Sequence, residues 1–192
     1  ACSKRARAVT PFHWEIEFPE VFQRKNSGFD AVVGNPPFLK GSKISGSFGP
    51  YYLDWILAMF PSAGGQADEV AYFFQRSFVL LRTEGCFGLL ATQTIAQGAT
   101  KKSSLEWIVS QGGKIFHAVR RIKWAGMAAV TVSRVHVCKV PANLIDNLLD
   151  GKQVNQITAF LFDKGENYPP QPLSSNADLA FMGFYLYGEG FI

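Results

Sequence analysis

Phe29-Asp30-Ala31-Val32-Val33-Gly34-Asn35-Pro36-Pro37-Phe38 is the stretch on which the fold of this chain turns. Its first six residues form a short apolar run containing two β-branched valines, and they read as a buried strand of the kind found in parallel sheets. Neither Pro36 nor Pro37 can donate to a strand ladder, so the strand must give way to a rigid turn. Asn-Pro-Pro followed by an aromatic residue should arise by chance in roughly one chain of this length in several hundred. The turn follows the carboxyl end of a strand, which is the edge where open α/β sheets bind their ligands.

The residues of the turn suit an amine. Two prolines fix φ and offer no N–H, so the Pro36 carbonyl can face a pocket with no donor beside it. The Asn35 side chain supplies a second acceptor oxygen. Two acceptors aimed at one exocyclic NH2 would hold its hydrogens and turn its lone pair toward an electrophile. Phe38 offers a flat face on which a base can stack.

Working outward, Phe12 to Phe18 alternates aromatic and acidic residues, a period-two pattern that predicts a half-buried strand ended by Pro19. Residues 39–49 are rich in Gly, Ser and Lys and read as a mobile basic loop. Tyr51 to Phe60 predicts a short helix. Ala67 to Arg82 carries Val70, Phe73, Phe74, Phe78 and Leu81 at helical spacing, with Asp68 and Glu69 in the first turn, where the helix dipole favours them. Cys86 to Thr92 predicts a second buried strand, Ser103 to Gln111 a helix, and Lys114 to Arg120 a third strand. Ala129 to Lys139 predicts a fourth, and the short connection from Arg121 to Met127 suggests that the last two form an antiparallel hairpin. The succession predicts an α/β sheet, mostly parallel, with an antiparallel hairpin on its C-terminal side. Beyond Pro141 the pattern weakens and Tyr168-Pro169-Pro170-Gln171-Pro172 reads as a rigid connector. Residues 1–140 are therefore expected to be one unit, and 141–192 a small appended segment.

Composition bounds the rest. The 192 residues are 47% apolar and 18% charged, which predicts a folded domain with a real core. A net charge of +4 permits a polyanionic partner without requiring one. Cys2, Cys86 and Cys138 are dispersed, with no metal-ligand spacing, so no metal is expected and a reduced, cytoplasmic setting is. No apolar run reaches the roughly 18 residues needed to cross a membrane. His13, His117 and His136 lie on strand-like stretches and read as structural or exposed. The chain opens on Ala1 and stops on Phe191-Ile192, which suggests a piece of a longer protein.

FDAVVGNPPF resembles motif IV of the amino-methyltransferases, [DNS]-P-P-[YFW]. Gly64–Gly85 is similar to the helix that follows that motif, Cys86–Thr94 to the next strand, and Trp124–Val137 to the hairpin strand of motif VIII. Over residues 10 to 140 the chain resembles the adenine-specific DNA methyltransferases of restriction systems, of the type IIG and MmeI-like group. The resemblance implies part of a Rossmann-like methyltransferase sheet that transfers a methyl group from S-adenosylmethionine to adenine N6 of double-stranded DNA. Asn35 and Pro36, with Pro37, would hold the amine, and Phe38 would stack on a base flipped out of the duplex. Trp124 would be a second stacking face, although relatives often carry Pro where Ala125 stands. Lys40 and Lys43 would meet phosphates. Asp30 and Asp68 are implied on the cofactor side, and Asp68 with Gln66 on the pocket floor.

The Gly-rich loop that should cradle the methyl donor is not found before residue 30. The rest of the same polypeptide is expected to supply most of that site. Tyr187-Gly188-Glu189-Gly190-Phe191 offers only a loose alternative, since a lone GxG with no following helix says little. Residues 142–192 are instead expected to begin a DNA-recognition region. Two other classes stay open: methylation of a protein glutamine or an rRNA base, and a half-domain that binds DNA without catalysis. Tyr is the commoner aromatic in glutamine methyltransferases, so Phe38 favours DNA.

Overall fold

Buried apolar residues of three long chain segments form the middle of one sheet, and its order decides what lies beside the Asn35 turn. The computed structural model describes residues 12–124, 131–139 and 146–167. Strands β1 (Phe29–Gly34), β2 (Leu81–Thr92), β3 (Lys114–Lys123), β4 (Thr131–Cys138), β5 (Asn147–Leu149) and β6 (Lys152–Val154) lie in the order β1-β2-β4-β3-β5-β6. β1 runs parallel to β2, with Val32 opposite Phe87 and Gly34 opposite Leu89. β4 is antiparallel to both β2 and β3, which is the hairpin expected from the sequence. β5 lies parallel to β3, and β6 turns back on β5. The α/β class and the antiparallel hairpin are as expected. The sheet also continues past residue 140 through β5 and β6, whose three-residue lengths give too little periodicity to read in advance.

The crossover from β1 to β2 carries three helices, α3 (Gly41–Phe48), α4 (Pro50–Met59) and α5 (Glu69–Leu80). Val70, Phe74 and Phe78 of α5 recur every fourth residue and are all buried. They pack on Phe87, Leu89, Val135 and Val137, which project from one face of the sheet. Phe74 meets Phe87 edge to face, with ring centroids 5.3 Å apart. The Lys139 ammonium donates to the carbonyls of Phe78 at 3.2 Å and Leu81 at 2.9 Å, so a cation closes the carboxyl end of α5. Beyond β2, a short 3-10 turn (Gln93–Ala96) leads into a helical run. Its ends are α6 (Gly98–Lys101) and α7 (Trp107–Ser110), and the stretch between them is π-helical (Lys102–Glu106). The helix expected over Ser103 to Gln111 is the second half of this run.

Three expectations are corrected. Phe12 to Phe18 is not a strand: residues Trp14–Glu17 and Pro19–Phe22 form the short helical turns α1 and α2. Their aromatics gather around Phe29, with Trp14, Phe18 and Phe22 each edge-on to its ring at 5.3 to 5.6 Å. Alternation here reflects aromatic clustering rather than a pleat. Residues 39–49 are not a loop throughout, because α3 buries Ile44 against Ile56, Ala67 and Tyr72 in a second core. Finally, β1 is not buried. Among the described residues it is an edge strand, and Val33 is 87% exposed. The second face of the sheet is also open beside it, with Cys86, Gly88, Leu90, Phe116 and His136 lining an open concavity. The expected features at Tyr168–Pro172 and Tyr187–Phe191 lie outside the described residues, as do Cys2 and Ala125.

Phe74 is fully buried at the centre of the main core. Replacing it with Ala should therefore lower the free energy of unfolding by about 3–5 kcal/mol, measured by urea denaturation. A loss below ~1 kcal/mol would contradict the packing described.

Candidate active site

The turn at the carboxyl end of β1 has the accessibility that a ligand site needs. Asn35 is exposed at the rim, Pro36 is buried beneath it, and Phe38 is half-buried with its ring against the main core. The chain then enters α3, whose N-cap residue Lys40 is exposed, as is Lys43 within the helix. Among the described residues, two hydrogen bonds tie the chain just beyond the turn to the rest of the fold. The Glu69 N–H donates to the Leu39 carbonyl at 2.8 Å, and the Gly41 N–H donates to Asp68 Oδ1 at 3.1 Å.

Asp68 precedes α5 and is half-buried. Its Oδ2 accepts a 2.6 Å hydrogen bond from the Thr94 hydroxyl, and its own N–H donates to Thr100 Oγ1 at 3.0 Å. Thr94 in turn lies 2.7 Å from the Thr92 hydroxyl at the end of β2. Glu69, the next residue, is 5% exposed, and burial pushes its carboxyl above the usual carboxylate range. Neither Gly41 nor Thr94 drew attention in the sequence. They lie 27 and 26 residues from Asp68 in the chain, and no local pattern links them to it.

The remaining residues of interest divide by sheet edge. Thr92 pairs with Val132, and Thr131 with Lys123, so Trp124 leaves the sheet at the same edge as Asn35. β2 and β4 stand between them, which sets the two strand ends about 14 Å apart. The Trp124 side chain is 42% exposed. It therefore flanks the Asn35 turn rather than lining it. Gln66 is exposed, in the segment that packs on Gly41.

Asp30 sits at the opposite end of β1, about 16 Å of extended chain from Asn35. Its carboxylate is paired with Arg82 at 2.6 Å and Arg24 at 2.9 Å. Those two guanidiniums hold its pKa down to about 2. His136 stacks on His117 with ring centroids 4.8 Å apart, and its ring lies over Gly88, where a Cβ would come within 2.7 Å. Burial, then the neighbouring His117 and Arg134, push its pKa down. Among the described residues no group of three His, Cys, Asp or Glu side chains could hold a metal, and no helix is long and apolar enough to cross a membrane.

Comparison with known proteins adds a family. The model of the Eco57I restriction-modification methylase family matches residues 2–113. No curated protein sequence matches the chain. Among solved structures, the type IIL restriction-modification enzyme MmeI in complex with DNA superposes with a TM-score of 0.60 at 21% identity, over 78% of this chain. The chain spans about a fifth of that protein, 21% of its length. The methyltransferase subunit of a type I restriction-modification system from Streptococcus thermophilus is matched at a TM-score of 0.43 and 16% identity, over 69% of this chain and 29% of that one. The MmeI match shows a shared fold.

Because Asp30 is ionised by pairing with two guanidiniums, its contribution to stability should be present above pH ~4 and vanish as pH falls toward ~2, where the carboxylate protonates. The check is the difference in Tm between the native protein and Asp30→Asn across that range. A difference that stays constant down to pH 2 would contradict the pairing.

Proposed function

Since this chain belongs to the Eco57I restriction-modification methylase family, we propose that its Asn35 turn is the amine-binding part of a DNA methyltransferase that acts on adenine N6. The observation that carries the reading is the placement of Asn-Pro-Pro-Phe at the carboxyl end of a strand that is parallel to its neighbour, with Asn35 exposed and Pro36 buried below it. Asn35 Oδ1 and the Pro36 carbonyl accept the two N6 hydrogens. Held by two acceptors out of the ring plane, the nitrogen would turn its lone pair toward the methyl donor. The absence of N–H groups at Pro36 and Pro37 keeps donors away from the amine. Phe38 gives the base a stacking face, which requires the adenine to leave the duplex. Lys40 and Lys43 lie on the solvent side of α3, where backbone phosphates would pass. Trp124, on the same edge, is suited to a neighbouring base or sugar.

S-adenosylmethionine is the methyl donor implied by this reading, and when bound it supplies an electrophilic methyl group. The described residues make only a partial fit to it. Asp68, the acidic residue beside the turn, has both carboxylate oxygens engaged by protein donors, and the Asp30 carboxylate is paired at the far end of β1. Most of the donor's site would therefore come from the rest of the same polypeptide. The unpaired edge of β1, with Val33 exposed, and the open sheet face beside it are suited to receive a further strand and its covering helices. Residues 142–192 would begin a DNA-recognition region.

In the full-length protein, Asn35→Ala should abolish measurable methyl transfer to adenine, a loss of at least ~10²-fold in kcat, because one of two acceptors is gone. DNA binding, followed by fluorescence anisotropy, should change far less. Undiminished adenine methylation by the variant would sink the assignment.

A further inference from the structure

A turn built on two prolines cannot hold its own orientation through hydrogen bonds. Pro36 and Pro37 have no N–H, and among the described residues no hydrogen bond is made by residues 35–38 beyond the end of the strand. Packing of the buried Pro36, and of Phe38 against the main core, holds the turn from below, and the hydrogen bonds nearest to it lie just downstream, where the chain is tied to α5. One tie is the Leu39 carbonyl on the Glu69 N–H. The other is the Asp68 carboxylate.

Asp68 occupies the N-cap position of α5 with extended backbone angles (φ −65°, ψ 150°), yet its side chain makes no bond to its own helix. Its Oδ1 accepts the first N–H of α3, from Gly41, and its Oδ2 accepts the hydroxyl of Thr94, in the 3-10 turn two residues past the end of β2. One carboxylate thus joins the chain after the turn to the neighbouring parallel strand. Both bonds are charge-assisted, and the one to Thr94 has the short length typical of such bonds. Packing enforces the same register. A Cβ on Gly41 would come within 2.6 Å of the Ala67 carbonyl oxygen and of Gln66 backbone atoms, so the two segments approach as closely as glycine allows. A residue whose only task was to start α5 would cap α5. This one caps another helix and holds a strand end.

We propose that Asp68, acting with Thr94, is the positioning residue for the amine-binding turn. It sets where the Asn35 and Pro36 oxygens lie relative to the end of β2 without touching substrate. The inference rests on the reading of Asn35 and Pro36 as the amine acceptors, and it gives Asp68 a structural partner in place of the cofactor.

The test uses the full-length protein and three variants: Asp68→Ala, Asp68→Asn and Thr94→Val. Five quantities are measured: kcat, the dissociation constants for DNA and S-adenosylmethionine, Tm, and the emission of 2-aminopurine placed at the target base. Misplacing acceptors by about 1 Å predicts a fall of ~10²-fold in kcat for Asp68→Ala, with both dissociation constants within ~threefold of wild type. The 2-aminopurine signal should still rise on binding, because flipping does not need the clamp, but to a different plateau, because stacking on Phe38 is altered. Asp68→Asn should recover most of the rate. Its amide oxygen can accept from Gly41, and the Thr94 hydroxyl can turn to accept from the amide nitrogen. Thr94→Val, which loses one bond, should fall between. If Asp68→Ala does not fold, Thr94→Val decides the matter. A Thr94→Val rate equal to wild type would overturn the proposal. So would a kcat loss matched by equal losses in DNA affinity and Tm, an Asp68→Asn as slow as Asp68→Ala, or a selective loss of S-adenosylmethionine affinity, which would return Asp68 to the cofactor. Failure of the parent reading looks different, since it would leave Asn35→Ala active. An inactive Asn35→Ala beside a fully active Asp68→Ala would remove only the clamp.

Discussion

Consecutive prolines at 36 and 37 impose the constraint on which the rest of the site depends. They remove two backbone donors at the place where a strand ends, and a chain without donors cannot be locked by the ladder it has just left. The benefit for an amine site is a surface of acceptors with no competing N–H. The cost is that orientation must come from elsewhere. Here packing of Pro36 and Phe38 contributes, and so does the start of α5, through the Glu69 N–H on Leu39 and the Asp68 carboxylate on Gly41. The helix that fills the core with Val70, Phe74 and Phe78 therefore begins where the chain beyond the turn is tied down.

The sheet order gives this arrangement its setting. The parallel pairing of β1 with β2 puts the Asn35 turn and the Thr92–Thr94 segment at one edge, close enough for a single carboxylate to bridge them. The antiparallel β4 and β3 then return Trp124 to that same edge, two strands further on. On the other side of β1 the ladder stops among the described residues, leaving an apolar strand with one partner. A flat, apolar, unpaired edge is a liability for a protein in water, and such edges are normally covered or charged.

Much of this was legible from the residues alone, for physical reasons. α5 and the β3–β4 hairpin announce themselves because burial imposes periods of 2 and 3.6 on long enough runs, and β1 because a short apolar run with two valines stops at prolines. The Asn35 turn was legible because prolines act locally. What escaped was whatever depends on contacts between distant segments. Phe12 to Phe18 alternates like a strand, but its rings serve to wrap Phe29, and short helical turns do that better than a pleat. The Gly- and Ser-rich stretch after Lys40 looks like a loop. It is helical because Ile44 finds a pocket and because a carboxylate 27 residues away satisfies its first N–H. The apolar character of β1 suggested burial, and one of its edges is free. Asp68 itself was singled out, but its partners Gly41 and Thr94 carry no local signature.

The central claim is that the Asn35 turn presents an adenine amine to a methyl donor. Nucleoside analysis of DNA treated with the full-length protein and isotopically labelled S-adenosylmethionine tests it most directly. The DNA is digested completely and the label located by mass spectrometry. The account predicts label in N6-methyladenine and in no other nucleoside. Label in a different base, or label confined to protein while the DNA stays unmodified, would contradict it.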